Sequence, residues 1–193
     1  IGRNYSAHAK ELNNPVPEEP VIFLKPDTAL LPKRQPFFYP SFSKDVHYET
    51  ELVIKINRVG KHILEKFAHK YYNEITLGID FTARDLQAKL KEKGLPWEKA
   101  KAFDGSAPVG DFLNKDQFPN LNQLHFSLNI NGEERQSGNS KEMLFSIDQI
   151  IEHVSQYFTL KIGDLIFTGT PAGVGKITTN DHFEGFIENE KVL

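Results

Sequence analysis

The 193-residue chain contains no cysteine, which excludes disulfide bridges, thiolate nucleophiles and thiolate metal sites, and fits a reducing compartment. No apolar run approaches the roughly 18 residues that a membrane-spanning helix needs. Basic charge is not in surplus either: 23 Lys and Arg stand against 26 Asp and Glu, for a formal net charge of -3. That balance argues against nucleic acid or an anionic membrane as the main partner. Repeats, low-complexity tracts and an internal linker are all absent, so residues 1–193 are expected to form one domain. The chain opens on Ile1 rather than Met, and a few residues are expected to be missing at each end. A cytoplasmic address is expected, with a mitochondrial one not excluded by that start.

Several catalytic signatures are missing as well. The loop "GTPAGVGK" (169–176) resembles a phosphate-binding loop, but five residues separate Gly169 from Gly175, and Ile177 follows Lys176 where a hydroxyl is required. There is no G-x-S-x-G elbow and no H-E-x-x-H helix. The seven histidines have no zinc-ligand spacing.

What is present reads as a mostly-β α+β chain with short helices. "NYSAHAKELNN" is a short helix stopped by Asn13-Asn14-Pro15. Residues 20–26 read as a strand between prolines, and 26–44 as irregular chain. Residues 45–56 alternate, with Val46, Tyr48, Thr50, Leu52, Ile54 and Ile56 on one face. His47, Glu49, Glu51 and Lys55 share the other face with Val53. Val59, Ile63, Phe67 and Tyr71 have helical spacing. A strand is expected over 75–82, then a helix over 82–94 with Thr82 as N-cap, Asp85 in support and Gly94 as stop. Leu124 to Ile130 alternate into an Asn131-Gly132 hairpin turn. Ser146 and Gln149 form a capping box. "DLIFTGTPAGVG" is a strand feeding a Gly-rich loop, and "FEGFIENEKVL" a strand cut short.

Glu49 and Glu51 pose the functional question. Side chains two apart on a strand sit about 6.6 Å apart on one face, close enough for two carboxylates to lean onto one ion. Asp80, after the apolar stretch of "LGIDFTARD", offers a third hard ligand. Three carboxylates suit Mg2+ or Mn2+ with positions left for water and substrate. His8 and Glu11 lie three apart, hence on one helix face, where a carboxylate fixes the imidazole tautomer and raises its basicity. Lys101, one of three lysines in 93–101, reads on composition as a solvated charge.

Together these strings resemble the fumarylacetoacetate hydrolase family, and within it the small acylpyruvase and oxaloacetate decarboxylase-like members. The matching stretches are "GRNYSAHAKEL", "FLKP", "HYETEL", "IDFTARDLQ", "LPWEKAKAFD", "NGEERQSG" and "LIFTGTPAGVG", in family order along nearly the whole chain. The resemblance implies a mixed β-roll, a Mg2+ or Mn2+ site on Glu49, Glu51 and Asp80, and a homodimer. It implies metal-dependent hydrolysis or decarboxylation of acylpyruvates or oxaloacetate through an enolate, or else isomerase or tautomerase chemistry of the 2-hydroxyhepta-2,4-diene-1,7-dioate or oxaloacetate type on the same site. His8 with Glu11 matches the family's base dyad, and Lys101 the lysine that neutralises a developing oxyanion. Arg3, Lys25, Gln87 and Thr170 match positions lining the pocket. Ile79 stands where an Asn often precedes the metal aspartate, and Glu98 where a Thr is frequent; both bear on pocket shape.

Overall fold

Residues 1–12, 14–33 and 35–193 are described by the structure, a computed structural model. The opening segment carries a short helix, α1 (Ser6–Glu11). Asn13, the first residue of the expected helix stop, lies outside the described residues. The strand expected over 20–26 does not form; Val21 makes one isolated bridge to Gly2 and nothing more. Pro20 and Pro26 lack the N–H a ladder would use, and Lys25 is diverted into contacts with Asp80 and Ser106.

The run 45–56 is two strands, β1 (Val46–Tyr48) and β2 (Thr50–Ile56), parted at Glu49. The helical spacing of Val59, Ile63, Phe67 and Tyr71 yields only a single turn of helix, α2 (Glu65–Ala68). The backbone before it is claimed from elsewhere: Gly60 exchanges hydrogen bonds with Leu160, and Ile63 N donates to Ser155 Oγ. His62 has φ +53, a left-handed value that a right-handed helix cannot contain. Tyr72 already opens β3 (Tyr72–Ile79), which is followed by β4 (Thr82–Ala83). Next comes α3 (Arg84–Glu92), whose N-cap is Ala83 and not Thr82. Thr82 is held in β4, where its hydroxyl accepts from Lys101. The helix does stop at Gly94, with Leu95 N bonded to Leu90 O and Gly94 N to Lys91 O.

A four-residue helix, α4 (Glu98–Lys101), and the short β5 (Leu113–Asn114) lead to the hairpin of β6 (His125–Ile130) and β7 (Glu133–Asn139). Its turn residues Asn131 and Gly132 have φ +56 and +83, as a primed turn requires. The capping box forms as expected at the start of α5 (Ile147–Tyr157). β8 (Leu165–Phe167) and β9 (Gly175–Lys176) flank the Gly-rich loop. The last stretch is a hairpin of β10 (Phe183–Ile187) and β11 (Glu190–Lys191), not one strand.

These strands make three antiparallel sheets, in the orders β4-β1-β9, β11-β10-β6-β7 and β5-β3-β2-β8. The alternation read in 45–56 survives the break at Glu49. Leu52, Ile54 and Ile56 enter the main core with Ile75, Leu77, Phe126 and Ile150. Val46 and Tyr48, on the same face, enter a second cluster with Ile79, Phe81 and Leu128. Each fully buried side chain of this size contributes roughly 2 kcal/mol. The opposite face is covered too, so both glutamates are buried rather than lining a wet edge. The chain is an α+β protein dominated by antiparallel sheet.

Candidate active site

The site forms where the ribbon changes sheets. His47 pairs with Thr82 in one sheet and Thr50 with Ile79 in the next. Between them, Asp80 N donates to Glu49 O while both side chains leave the ladder. Glu49, Glu51 and Asp80, each 5% exposed or less, offer carboxylate oxygens that lie within 4.8 Å of one another.

Basic groups surround two of the three. Lys101, expected to be solvated, is 3% exposed. Its ammonium gives its three protons to Glu49 Oε2 (2.7 Å), Asp80 Oδ2 (2.7 Å) and Thr82 Oγ1 (2.6 Å). Arg84 pairs with Glu49 Oε1, and Lys25 Nζ lies 2.8 Å from Asp80 Oδ1. Burial works against the Glu49 charge, but Lys101 and Arg84 outweigh it and hold its carboxyl far below the usual range. Burial likewise opposes the Lys101 charge, which Asp80 and Glu49 restore and raise. For Lys25 burial wins, and its ammonium is lowered despite Asp80.

Among the described residues no basic side chain forms an ion pair with Glu51, although the Ile1 ammonium favours its charge. Gly169 N donates to its Oε2 at 2.6 Å, and burial with the charges of Asp80 and Glu49 pushes its carboxyl up to about 7. A buried carboxylate in that state, within reach of two others, fits a divalent cation by donor chemistry and by charge. The three residues fit such an ion.

The Gly-rich loop 169–175 completes the centre. Gly169 has φ +106, and a Cβ there would stand 2.6 Å from Asn4 Cβ; only glycine lets the N–H reach Glu51. Gly173 has φ +98, and its N–H donates to Glu11 Oε1 at 3.0 Å. The other Glu11 oxygen meets His8 Nδ1 at 3.0 Å. A carboxylate oxygen accepts here, so the contact selects the imidazole tautomer with its proton on Nδ1 and its lone pair on Nε2. Asn4 anchors this segment: buried, it donates to Phe145 O and Thr168 O and accepts from Phe145 N.

A narrow cleft opens onto these groups. The three carboxylates, His8, Lys101, Arg3, Gln87 and Thr170 all line it. Lys25, expected on the wall, sits behind Asp80 instead, against Ser106 Oγ and the Lys101 carbonyl. Arg3 lies over the Trp97 ring at 5.9 Å. Sequence reasoning passed over Arg84, Phe23 and Trp97, which also line the cleft. Arg84 could have been found, since it precedes Gln87 by one helical turn and donates to its Oε1 at 2.7 Å. The two aromatic residues give no local signal.

A buried three-carboxylate cluster near a histidine–carboxylate pair could hold a divalent cation, and comparison with known proteins gives the chain its family. The family model "Fumarylacetoacetate (FAA) hydrolase C-terminal" matches residues 1–191. The chain is 45% identical over 188 residues to Oxaloacetate tautomerase FAHD1, mitochondrial, of Rattus norvegicus, covering 97% of this chain and 85% of that protein. It is 42% identical over 178 residues to Oxaloacetate decarboxylase, mitochondrial, of Dictyostelium discoideum, covering 92% and 82%. A crystal structure of fumarylpyruvate hydrolase from Pseudomonas aeruginosa, in complex with Mn2+ and pyruvate, superposes with a TM-score of 0.91. The identity to that chain is 36%, covering 99% of this chain and 84% of it. The protein belongs to the fumarylacetoacetate hydrolase family and is an enzyme.

Proposed function

We propose that this enzyme acts on small 2-oxo acids of the oxaloacetate and acylpyruvate type, by forming and stabilising an enolate. The observation that carries the reading is the buried Glu49, Glu51 and Asp80 cluster sharing one cleft with His8, whose Nδ1 is paired with Glu11. Glu49, Glu51 and Asp80 would hold Mg2+ or Mn2+, which supplies Lewis-acid polarisation of the substrate's 2-oxo oxygen.

The chain's own groups do the rest. Glu11 keeps the proton on His8 Nδ1, so Nε2 is the base that takes a proton from the substrate. Lys101 offers its ammonium to the oxyanion as charge develops, trading one contact to Glu49 or Asp80 for it. The Thr170 hydroxyl donates to the substrate carboxylate, with Gln87 and Arg3 along the wall, while Lys25 holds Asp80 from behind. All 193 residues act as one catalytic domain, working as a homodimer, with neither nucleic acid nor membrane as partner, in the cytoplasm or a mitochondrion.

Keto–enol interconversion of oxaloacetate is the first reaction proposed, because the rat relative carries that name across 97% of this chain. There His8 removes a proton and returns it. C–C cleavage, by decarboxylation of oxaloacetate or hydrolysis of an acylpyruvate, is the second. It is favoured by the names of the Dictyostelium and Pseudomonas proteins and by a dyad able to activate water. Fold kinship does not choose between them.

The test gives the protein enol-oxaloacetate and acetylpyruvate with Mg2+ or Mn2+. Loss of enol absorbance without pyruvate selects the first reaction, and pyruvate release the second. No turnover of either compound rejects the proposal. His8→Asn is expected to lower the rate at least about a hundredfold.

A further inference from the structure

We infer that Gln136 is a positioning residue that aims the Thr170 hydroxyl proton into the cleft. This goes beyond the proposed function but rests on its assignment of Thr170 to a substrate carboxylate.

Gln136 lies on β7, 2% exposed, and its amide meets three groups. Its Oε1 accepts from Thr50 N at 3.0 Å. Its Nε2 donates to Thr170 Oγ1 at 2.9 Å and to Pro171 O at 3.0 Å. Amide oxygen and nitrogen are often interchangeable, but here the neighbours decide between them. Thr50 N–H can only donate, so the atom facing it is the oxygen. Pro171 O can only accept, so the atom facing it is the nitrogen. With both amide protons given away, Thr170 Oγ1 is an acceptor toward Gln136.

A threonine hydroxyl that accepts from one side still has its own proton to place. Thr170 is 3% exposed, and among the described residues no protein acceptor takes that proton. It lines the cleft with Glu51 and Lys101. A buried hydroxyl proton facing a polar cleft calls for an acceptor oxygen on the ligand, and a carboxylate is the strongest available. The same amide grips Thr50, the residue between Glu49 and Glu51. One neutral side chain thus sets the loop hydroxyl in register with the strand bearing two of the carboxylates.

The experiment reads Gln136→Glu, Thr170→Val and the double variant by steady-state kinetics. It also reads oxalate binding by calorimetry in Mg2+, which does not depend on turnover. Gln136→Glu keeps an acceptor for Thr50 N but has no proton to give, so the Thr170 proton turns toward the new carboxylate. The expected result is KM and the oxalate Kd each weakened about tenfold or more, with kcat changed less. Thr170→Val should do the same, and the double variant should be no worse than Thr170→Val alone. Effects that multiply in the double variant would overturn the inference, since Gln136 would then act independently of Thr170. So would an unchanged KM and oxalate Kd in Gln136→Glu. Should the buried charge prevent folding, Gln136→Met removes the amide without adding charge and is read in the same cycle. A Thr170→Val protein that binds and turns over like wild type sinks the Thr170 assignment itself, and with it the inference, while leaving the metal site untouched.

Discussion

The two halves of the site hold negative charge by different means. On one side Glu49 and Asp80 are held by side-chain cations, with Lys101 shared between them, Arg84 on Glu49 and Lys25 on Asp80. On the other, Glu51 and Glu11 are held by backbone N–H groups of the Gly-rich loop, from Gly169 and Gly173. Side-chain ammonium groups can be traded for another cation or swing to an oxyanion. A backbone amide is fixed by the loop's φ and ψ and only orients. The cation side is therefore the adjustable half of the centre and the loop side its fixed frame.

The largest expected effect is at Glu51, the carboxylate of the three that, among the described residues, has no cationic side chain paired with it. Glu51→Gln should lower turnover at least about a thousandfold and abolish Mg2+ binding seen by calorimetry. Chelation of wild type should give the same loss, reversed by adding Mg2+. Retained metal affinity in Glu51→Gln would merge the two halves into one.

Next comes Lys101→Met, which strands Glu49 and Asp80 in a buried setting. In chelator the variant should lose about 3 kcal/mol of stability, a melting shift of roughly 6–12 °C. With Mg2+ the loss should shrink, because the ion supplies the missing positive charge. Equal losses in both conditions would mean that ammonium and ion do not share those carboxylates.

Gly173→Ala attacks the fixed frame. Its φ of +98 and a Cβ 2.9 Å from Arg135 O should cost about 1–3 kcal/mol. The drawn-back amide should also slow proton transfer by His8 while leaving Mg2+ affinity unchanged. Weakened metal binding here would show the halves to be coupled.

The smallest effect calibrates the backbone device at a carboxylate outside the cleft. Asp85 accepts from Ser43 Oγ, Lys44 N and Leu86 N. Burial acts against its charge, yet those bonds, helped by the Lys89 ammonium, leave its carboxyl below the usual range. A depressed folded pKa adds stability above the unfolded pKa and loses it as pH falls through the folded value. Asp85→Asn should therefore differ from wild type by no more than about 1 kcal/mol at pH 7, with the gap closing in acid melts. A gap that widened on acidification would contradict that sign.

Elements whose cause lies in neighbouring residues were legible in advance. The capping box at Ser146, the Asn131-Gly132 turn and the stop at Gly94 each depend on atoms within five residues. So did the face of Val46, Tyr48, Leu52 and Ile54, since period two survives a break in the ladder. The helical spacing over 59–71 yielded little helix for the opposite reason: Leu160 and Ser155, nearly a hundred residues away, claim its backbone. Within the site, spacing made Glu49, Glu51, Asp80, His8 and Glu11 candidates and the family resemblance gave them roles, while Arg84 could have been found one helical turn before Gln87.

By itself the sequence determined which carboxylates and which imidazole are available, because residue type and short-range periodicity fix the chemistry and the face of each element. Only the tertiary structure decided that Lys101 is buried between Glu49 and Asp80, that Lys25 stands behind the wall, and that Gln136 joins Thr50 to Thr170. Those contacts span from 21 to 86 residues of chain. Closing such separations is the work of the whole core, whose buried apolar surface must offset the conformational entropy of holding each polar partner in place.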